Sequence, residues 1–184
     1  EQLQTIFKTL PKDSAAASSQ ICLRLAHEKL FKDAKTILFF APHSNEPDIW
    51  PLLSAALNAN KIIALPKFIA AKNHYVASRV ENLERDFVPG QFGIREPRAD
   101  GEEIPLKQLD LALVPGVGFD LVGGRLGRGK GFYDQLLAQF PGVKCGVCFD
   151  EQIVGAIPTE PHDVRMDYIL TPTRWLKTTG ARFE

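Results

Sequence analysis

The chain has 184 residues, with 22 Lys+Arg against 22 Asp+Glu, for a formal net charge of zero. At 45% hydrophobic and 24% charged residues it has the composition of one globular domain with a single sizeable core. A zero balance supplies no global field for nucleic acid or an acidic membrane, and no apolar run approaches the ~20 residues that span a bilayer.

Asp13 to Lys32 reads as a helix, with Asp13 as N-cap and Leu23, Ala26 and Leu30 on one face. Lys35 to Pro42 reads as a buried strand ending at a proline. Pro47 to Asn58 reads as a second helix with Pro47 in its first turn. Lys61 to Pro66 repeats the pattern of strand then proline. His74 to Val80 alternates in hydrophobicity, as a strand with one wet face does. Glu81 to Leu106 is polar, rich in Pro and Gly, and reads mostly as a surface connection. Leu109 to Gly116 is another buried strand, followed by a Gly-rich loop and a helix over Phe132 to Phe140. Val143 to Phe149 and Asp167 to Pro172 complete the strands. Strands alternating with helices imply an α/β fold of three layers, a mainly parallel sheet with helices on both faces. Ligands collect at the carboxyl ends of such strands, here Pro42–Glu46, Pro66–Phe68, Pro115–Asp120 and Asp150–Gln152.

The segment Gly118 to Asp134 is the most informative. Gly123, Gly124, Gly127, Gly129 and Gly131 are five glycines in nine positions, where average usage of about 7% predicts fewer than one. Each ordered glycine costs roughly 0.5–1 kcal/mol relative to alanine; backbone amides brought close to a ligand would offset that. Arg125, Arg128 and Lys130 are interleaved with them. Three cations among free amides, just before a helix, form an anion site suited to a polyphosphate. A solvated basic loop and a grip on a phosphodiester backbone are the other readings, although no basic stripe or aromatic platform supports the latter. Gly124 to Lys130 nearly spells the P-loop, but Gly131 stands where that motif needs Ser or Thr for magnesium. Asp134 and Asp120 are candidate replacement carboxylates; Asp134 is equally well read as an acidic residue favoured by a helix N-terminus.

Val114 to Asp134, with its "GGRLGRGKGFYD", resembles the signature of the 5-formyltetrahydrofolate cyclo-ligase family. "NEPDIWPLL", "KIIALPKF" and "DEQIVGAIPTEPHDVRMDYILT" resemble further blocks of that family. The resemblance implies a fold of the sugar-phosphate isomerase and CoA-transferase type. It also implies ATP- and magnesium-dependent ring closure of 5-formyltetrahydrofolate, with or without a polyglutamate tail, to 5,10-methenyltetrahydrofolate. By position it implies that ATP is bound by Arg125, Leu126 and Gly127, by Arg128, Gly129 and Lys130, and by Gly131, Phe132 and Tyr133. Arg128 and Lys130 are the implied catalytic residues and, with Gly129, also face the folate. Ala41, Glu46 and Phe68 are the implied folate contacts; Asp134 and Asp163 are the implied magnesium ligands. Trp50 reads either as pocket wall or as core.

Two departures stand out. Phe132 replaces a family tyrosine. The family also opens with a basic stretch that helps grip ATP, whereas Glu1 to Phe7 carries no base. The expectation is that the chain starts just after that stretch, and that a protein lacking it binds ATP more weakly. Cys22, Cys145 and Cys148 are too few for a disulfide framework and fit a reducing compartment, so a cytoplasmic location is expected; separately, the protein is expected as a monomer with no nucleic-acid or membrane partner, although the sequence itself does not give the oligomeric state. Cys145 and Cys148, three apart on a strand, should point to opposite faces. His27 reads as surface, and His43 and His162 lie near the expected site. A same-fold isomerase or CoA-transferase, and a nucleotide- or RNA-binding module, are the competing functions.

Overall fold

The computed structural model describes residues 11, 13–90, 94–129 and 131–179. The first helix, α1 (Ser14–His27), is capped by Asp13, whose Oδ1 accepts from the Ala16 N–H at 2.9 Å. Its buried stripe runs through Ser18, Ile21 and Leu25, spaced i, i+3 and i+7, while Leu23 lies 64% exposed. The inward face is therefore rotated from the one expected. A break at Glu28 leads into α2 (Lys29–Asp33) and then β1 (Thr36–Leu38). The next helix, α3 (Trp50–Asn58), starts later than Pro47, with Pro51 in its first turn.

β2 (Ile62–Ile69) runs straight through Pro66. The Phe39 N–H donates to Ala64 O at 2.8 Å. The next bond of that parallel register would need an N–H at residue 66, and proline has none. Pro66 therefore ends the ladder to β1, while β2 continues on its other side against β3 (His74–Val80), pairing from Ile63↔Val80 to Ile69↔His74. The polar connection carries a hairpin, β4 (Phe87–Pro89) with β5 (Arg95–Pro97), and an edge strand, β6 (Glu103–Ile104). β7 (Leu111–Pro115) follows, then the short hairpin β8 (Gly118–Phe119) and β9 (Arg125–Leu126), then α4 (Phe132–Ala138). β10 (Val143–Val147), β11 (Tyr168–Leu170) and β12 (Trp175–Lys177) complete the chain.

The main sheet has eight strands in the order β12-β11-β10-β7-β1-β2-β3-β6. From β11 to β2 every pairing is parallel, and antiparallel strands close both edges. Strand alternation divides the core in two. Ile37, Phe39, Leu111, Leu113 and Val147 pack with Ile21, Leu25, Phe31 and Leu53 of the first three helices. Leu38, Ala64, Ala112 and Val114 pack with Leu136, Leu137 and Phe140 on the other side. Helices thus cover both faces, and β7 is buried at every position, as a central parallel strand should be. Cys145 belongs to the first cluster and Cys148 to the second. Burial pushes both thiols up in pKa, so they are packing residues. No helix among the described residues is long and apolar enough to cross a membrane.

Candidate active site

The β8–β9 hairpin stands at the carboxyl end of β7. Phe119 anchors it over the sheet, where Gly116 and Gly146 leave room: a Cβ on either would lie 2.6 or 2.5 Å from the Phe119 ring. Buried Gln152 ties the same backbone down, donating from Nε2 to Gly116 O at 2.9 Å and to Val117 O at 3.1 Å. Asp120, 1% exposed, shapes the turn. Its Oδ1 accepts from the N–H groups of Val122 and Gly124 at 3.1 and 2.7 Å, and its Oδ2 from Ile157 at 2.8 Å. A carboxylate committed to three amides is a loop organiser, which removes Asp120 from the metal candidates. Gly123, at φ +89°, faces Met166 O so closely that a Cβ would lie 2.4 Å away.

The basic loop leaves β9 along this support. Gly129 and Gly131 adopt φ +86° and +64°, and a Cβ on either would meet nothing within 4 Å among the described residues. Backbone conformation, and not crowding by the described residues, calls for glycine at both positions. The N-cap of α4 is Gly131, which has no side chain to cap the helix. Arg128 reaches across to the β1–α3 connection, where its Nη2 donates to Asn45 Oδ1 at 2.8 Å and Glu46 Oε1 at 3.2 Å. Its side chain is 45% exposed, that of Glu46 only 6%. Glu46 Oε2 also accepts from the His43 N–H at 2.9 Å. Partial burial lowers the His43 pKa; Glu46 acts against that and Arg128 with it. Lys130 and the side chain of Phe132 lie outside the described residues.

Arg125 does not project as a free cation. It is 5% exposed, its Nη2 pairs with Asp134 Oδ2 at 2.8 Å, and its guanidinium lies over the Tyr133 ring at 5.6 Å. Burial raises the Tyr133 pKa, and the Glu46 carboxylate adds to the effect. Leu126 and Gly127 lead from this interior pair to the open part of the loop. Asp134 Oδ1 accepts from the Val164 N–H at 3.4 Å, which brings the neighbour of Asp163 onto α4. Asp163 is 30% exposed on its side chain, and its Oδ2 accepts from the Glu160 N–H at 2.6 Å.

Ala41 is partly buried against the first core cluster. Phe68, 40% exposed, lies 5.2 Å from Tyr75 across the β2–β3 ribbon. Trp50 packs edge-on against Phe87 at 5.2 Å, with the Arg95 guanidinium over both rings; it is core, and it fastens the β4–β5 hairpin to α3. His162 is 71% exposed beside Glu160 and Asp163. His27 is exposed on α1. Sequence reasoning passed over Asn45. The signal was its place directly before Glu46, at the carboxyl end of a strand facing the basic loop.

The 5-formyltetrahydrofolate cyclo-ligase family model matches residues 2–172. The chain belongs to this family. A 5-formyltetrahydrofolate cyclo-ligase of Mycolicibacterium smegmatis is 33% identical over 150 residues, 76% of this chain and 75% of that one. The mouse cyclo-ligase is 31% identical over 162 residues, 79% of this chain and 77% of that one. The solved structure of Aquifex aeolicus 5,10-methenyltetrahydrofolate synthetase superposes with a TM-score of 0.83 at 30% identity, covering 99% of this chain and 93% of that one. The protein is an enzyme, a cyclo-ligase-family member of α/β fold. The cyclo-ligase chain holds no group of three or more His, Cys, Asp or Glu suited to a metal among its described residues. Asp134 has its oxygens on Arg125 and the Val164 N–H, and Asp163 keeps a partly exposed carboxylate one residue away from that contact; magnesium commonly takes one or two carboxylates and completes its shell with phosphate and water.

Proposed function

We propose that the protein converts 5-formyltetrahydrofolate to 5,10-methenyltetrahydrofolate with ATP and magnesium, releasing ADP and phosphate. The observation that carries the reading is the meeting of Arg128, on the glycine-rich loop, with Glu46, on the opposite connection. A cation suited to phosphate and a carboxylate suited to the pterin amino group and ring N–H thereby face one another. Family membership supports a reaction that would use both ligands side by side.

The formyl oxygen attacks the terminal phosphorus of ATP and the bond to ADP breaks. Nitrogen 10 then attacks the activated formyl carbon, loses its proton, and phosphate departs as the ring closes. A formamide oxygen needs no general base. Catalysis is therefore a matter of positioning and charge neutralisation. Arg128 would stabilise the transferring phosphoryl group, with Lys130 in the same role. The amides around Gly129 and Gly131 would cradle phosphate oxygens. Glu46 would orient the pterin, and Ala41 and Phe68 would wall its pocket. Arg125, paired beneath the loop, would hold α4 and the Asp134 carboxylate in place. Magnesium, held by Asp134 and Asp163, would supply charge neutralisation at the phosphates.

The test is formation of the methenyl product, followed by its absorbance, when the protein meets 5-formyltetrahydrofolate with ATP and magnesium. A rise that requires both additions is expected. No product from the full-length natural protein would overturn the reading.

A further inference from the structure

Asn45 occupies a short turn closed twice. The Glu46 N–H donates to His43 O at 3.0 Å, and the His43 N–H donates back to Glu46 Oε2 at 2.9 Å. The turn is thus a stiff platform that presents two acceptors, Asn45 Oδ1 and Glu46 Oε1, to one nitrogen of Arg128 at 2.8 and 3.2 Å. The two acceptors differ in kind. Glu46 is a carboxylate and, on the function proposed above, exchanges Arg128 for the pterin when folate binds. Asn45 is a neutral amide with the shorter bond. It locates the guanidinium without cancelling its charge, so the positive charge stays available to an anion. The Arg128 side chain is 45% exposed and comes from a glycine-rich stretch, so it needs an external hold to stay over the site.

We propose that Asn45 is the positioning residue for Arg128: its side-chain oxygen holds the guanidinium in the attitude that receives the ATP phosphates, and goes on doing so once Glu46 has turned to the folate. This rests on the ATP-dependent reading of the site.

The experiment measures steady-state kinetics and calorimetric affinity for a magnesium–nonhydrolysable ATP analogue, in the whole protein and its variants. Asn45→Ala is expected to lower kcat/KM for MgATP about five- to tenfold, the effect of losing one hydrogen bond to a partly exposed charged group. It should weaken the ATP analogue and leave the folate affinity and the melting temperature unchanged. Asn45→Ser, whose hydroxyl suits a turn but is too short to reach, should behave alike. In an Arg128→Ala background, Asn45→Ala should change nothing further, because the two residues act as one unit. Additive losses in that background, or a folate affinity that falls as much as that for nucleotide, would overturn the proposal. A wild-type protein that makes product while Asn45→Ala matches it in every measure would overturn this inference alone. A wild-type protein that makes no product and binds no nucleotide would overturn it together with the function proposed above.

Discussion

Replacing Asp134 with asparagine separates the structural task of that residue from its proposed metal task. The Arg125–Asp134 pair lies at 2.8 Å, with the two side chains 5% and 16% exposed. Arg125 Nε has no hydrogen-bond partner among the described residues and Nη1 reaches Pro115 O only at 3.5 Å, so the 2.8 Å bond to Asp134 is the shortest hold on the guanidinium. Breaking one side of a buried pair costs about 3–5 kcal/mol. The residual exposure of Asp134 lets some water reach Arg125, which reduces the expected loss to about 2–4 kcal/mol. For a chain of this size that lowers the melting temperature by about 5–12 °C. Arg125→Met should cost less, because Asp134 keeps a partly open edge to water. The double variant should be more stable than the sum of the single losses predicts, with a coupling of about 1–3 kcal/mol. Thermal and urea unfolding of the four proteins read these numbers. A parallel titration reads the magnesium concentration for half-maximal activity, which should rise in Asp134→Asn. An unchanged melting temperature would refute the buried pair as a structural element, and an unchanged magnesium requirement would remove Asp134 as a ligand.

Arg128→Ala and Lys130→Ala should each lower turnover by at least about tenfold with unaltered circular dichroism; full activity in both would mean the loop is not the phosphate cradle. Gly123→Ala should cost more than about 2 kcal/mol in urea unfolding, since positive φ and a backbone oxygen in the way act together. Gly129→Ala, where a Cβ would meet no described atom within 4 Å, should cost only about 1 kcal/mol, and equal losses would contradict the difference between a crowded and an uncrowded glycine. The hydrogen bond from Arg85, aided by the N–H groups of Glu81 and Asn82 against a partial burial that acts the other way, holds Asp86 down to about 2. A depressed carboxyl stabilises the fold above its unfolded value of about 3.9 and loses that contribution as pH falls through about 2. Asp86→Asn should therefore lower the urea midpoint near neutral pH and converge on wild type at the acid end of that window. The gap should shrink in high salt because Arg85 is 67% exposed.

Much of the scaffold was legible because it rests on short-range chemistry. Asp13 caps α1 by a bond three residues away, and alternation over His74–Val80 marked a strand with the bounds the structure has, although Val76, Ala77 and Ser78 are buried in succession, so the expected wet face is covered there. Cys145 and Cys148 divide between the two cores as strand geometry requires. What escaped was set by distant partners. Pro66 reads as a strand end, yet β3 carries β2 past it. The β4–β5 hairpin is held by Trp50, Phe87 and Arg95 stacked together, and β12 exists because Trp175 to Lys177 fold back on β11. At the site, the composition of the basic loop was plain, but not which cation stays open. Arg125 lies only three residues from Arg128 and pairs inward because α4 brings Asp134 beneath it. Asp120 could be told from a metal ligand only by the three amides that its turn folds onto it.

The central claim is tested most directly by a crystal structure of the protein with magnesium, a nonhydrolysable ATP analogue and 5-formyltetrahydrofolate. The phosphates are predicted to lie against Arg128 and the backbone of residues 129–131, with the pterin on Glu46 and the formyl oxygen facing the terminal phosphorus. Phosphates bound elsewhere on the sheet, with Arg128 still closed on Asn45 and Glu46 and clear of the ligands, would contradict it.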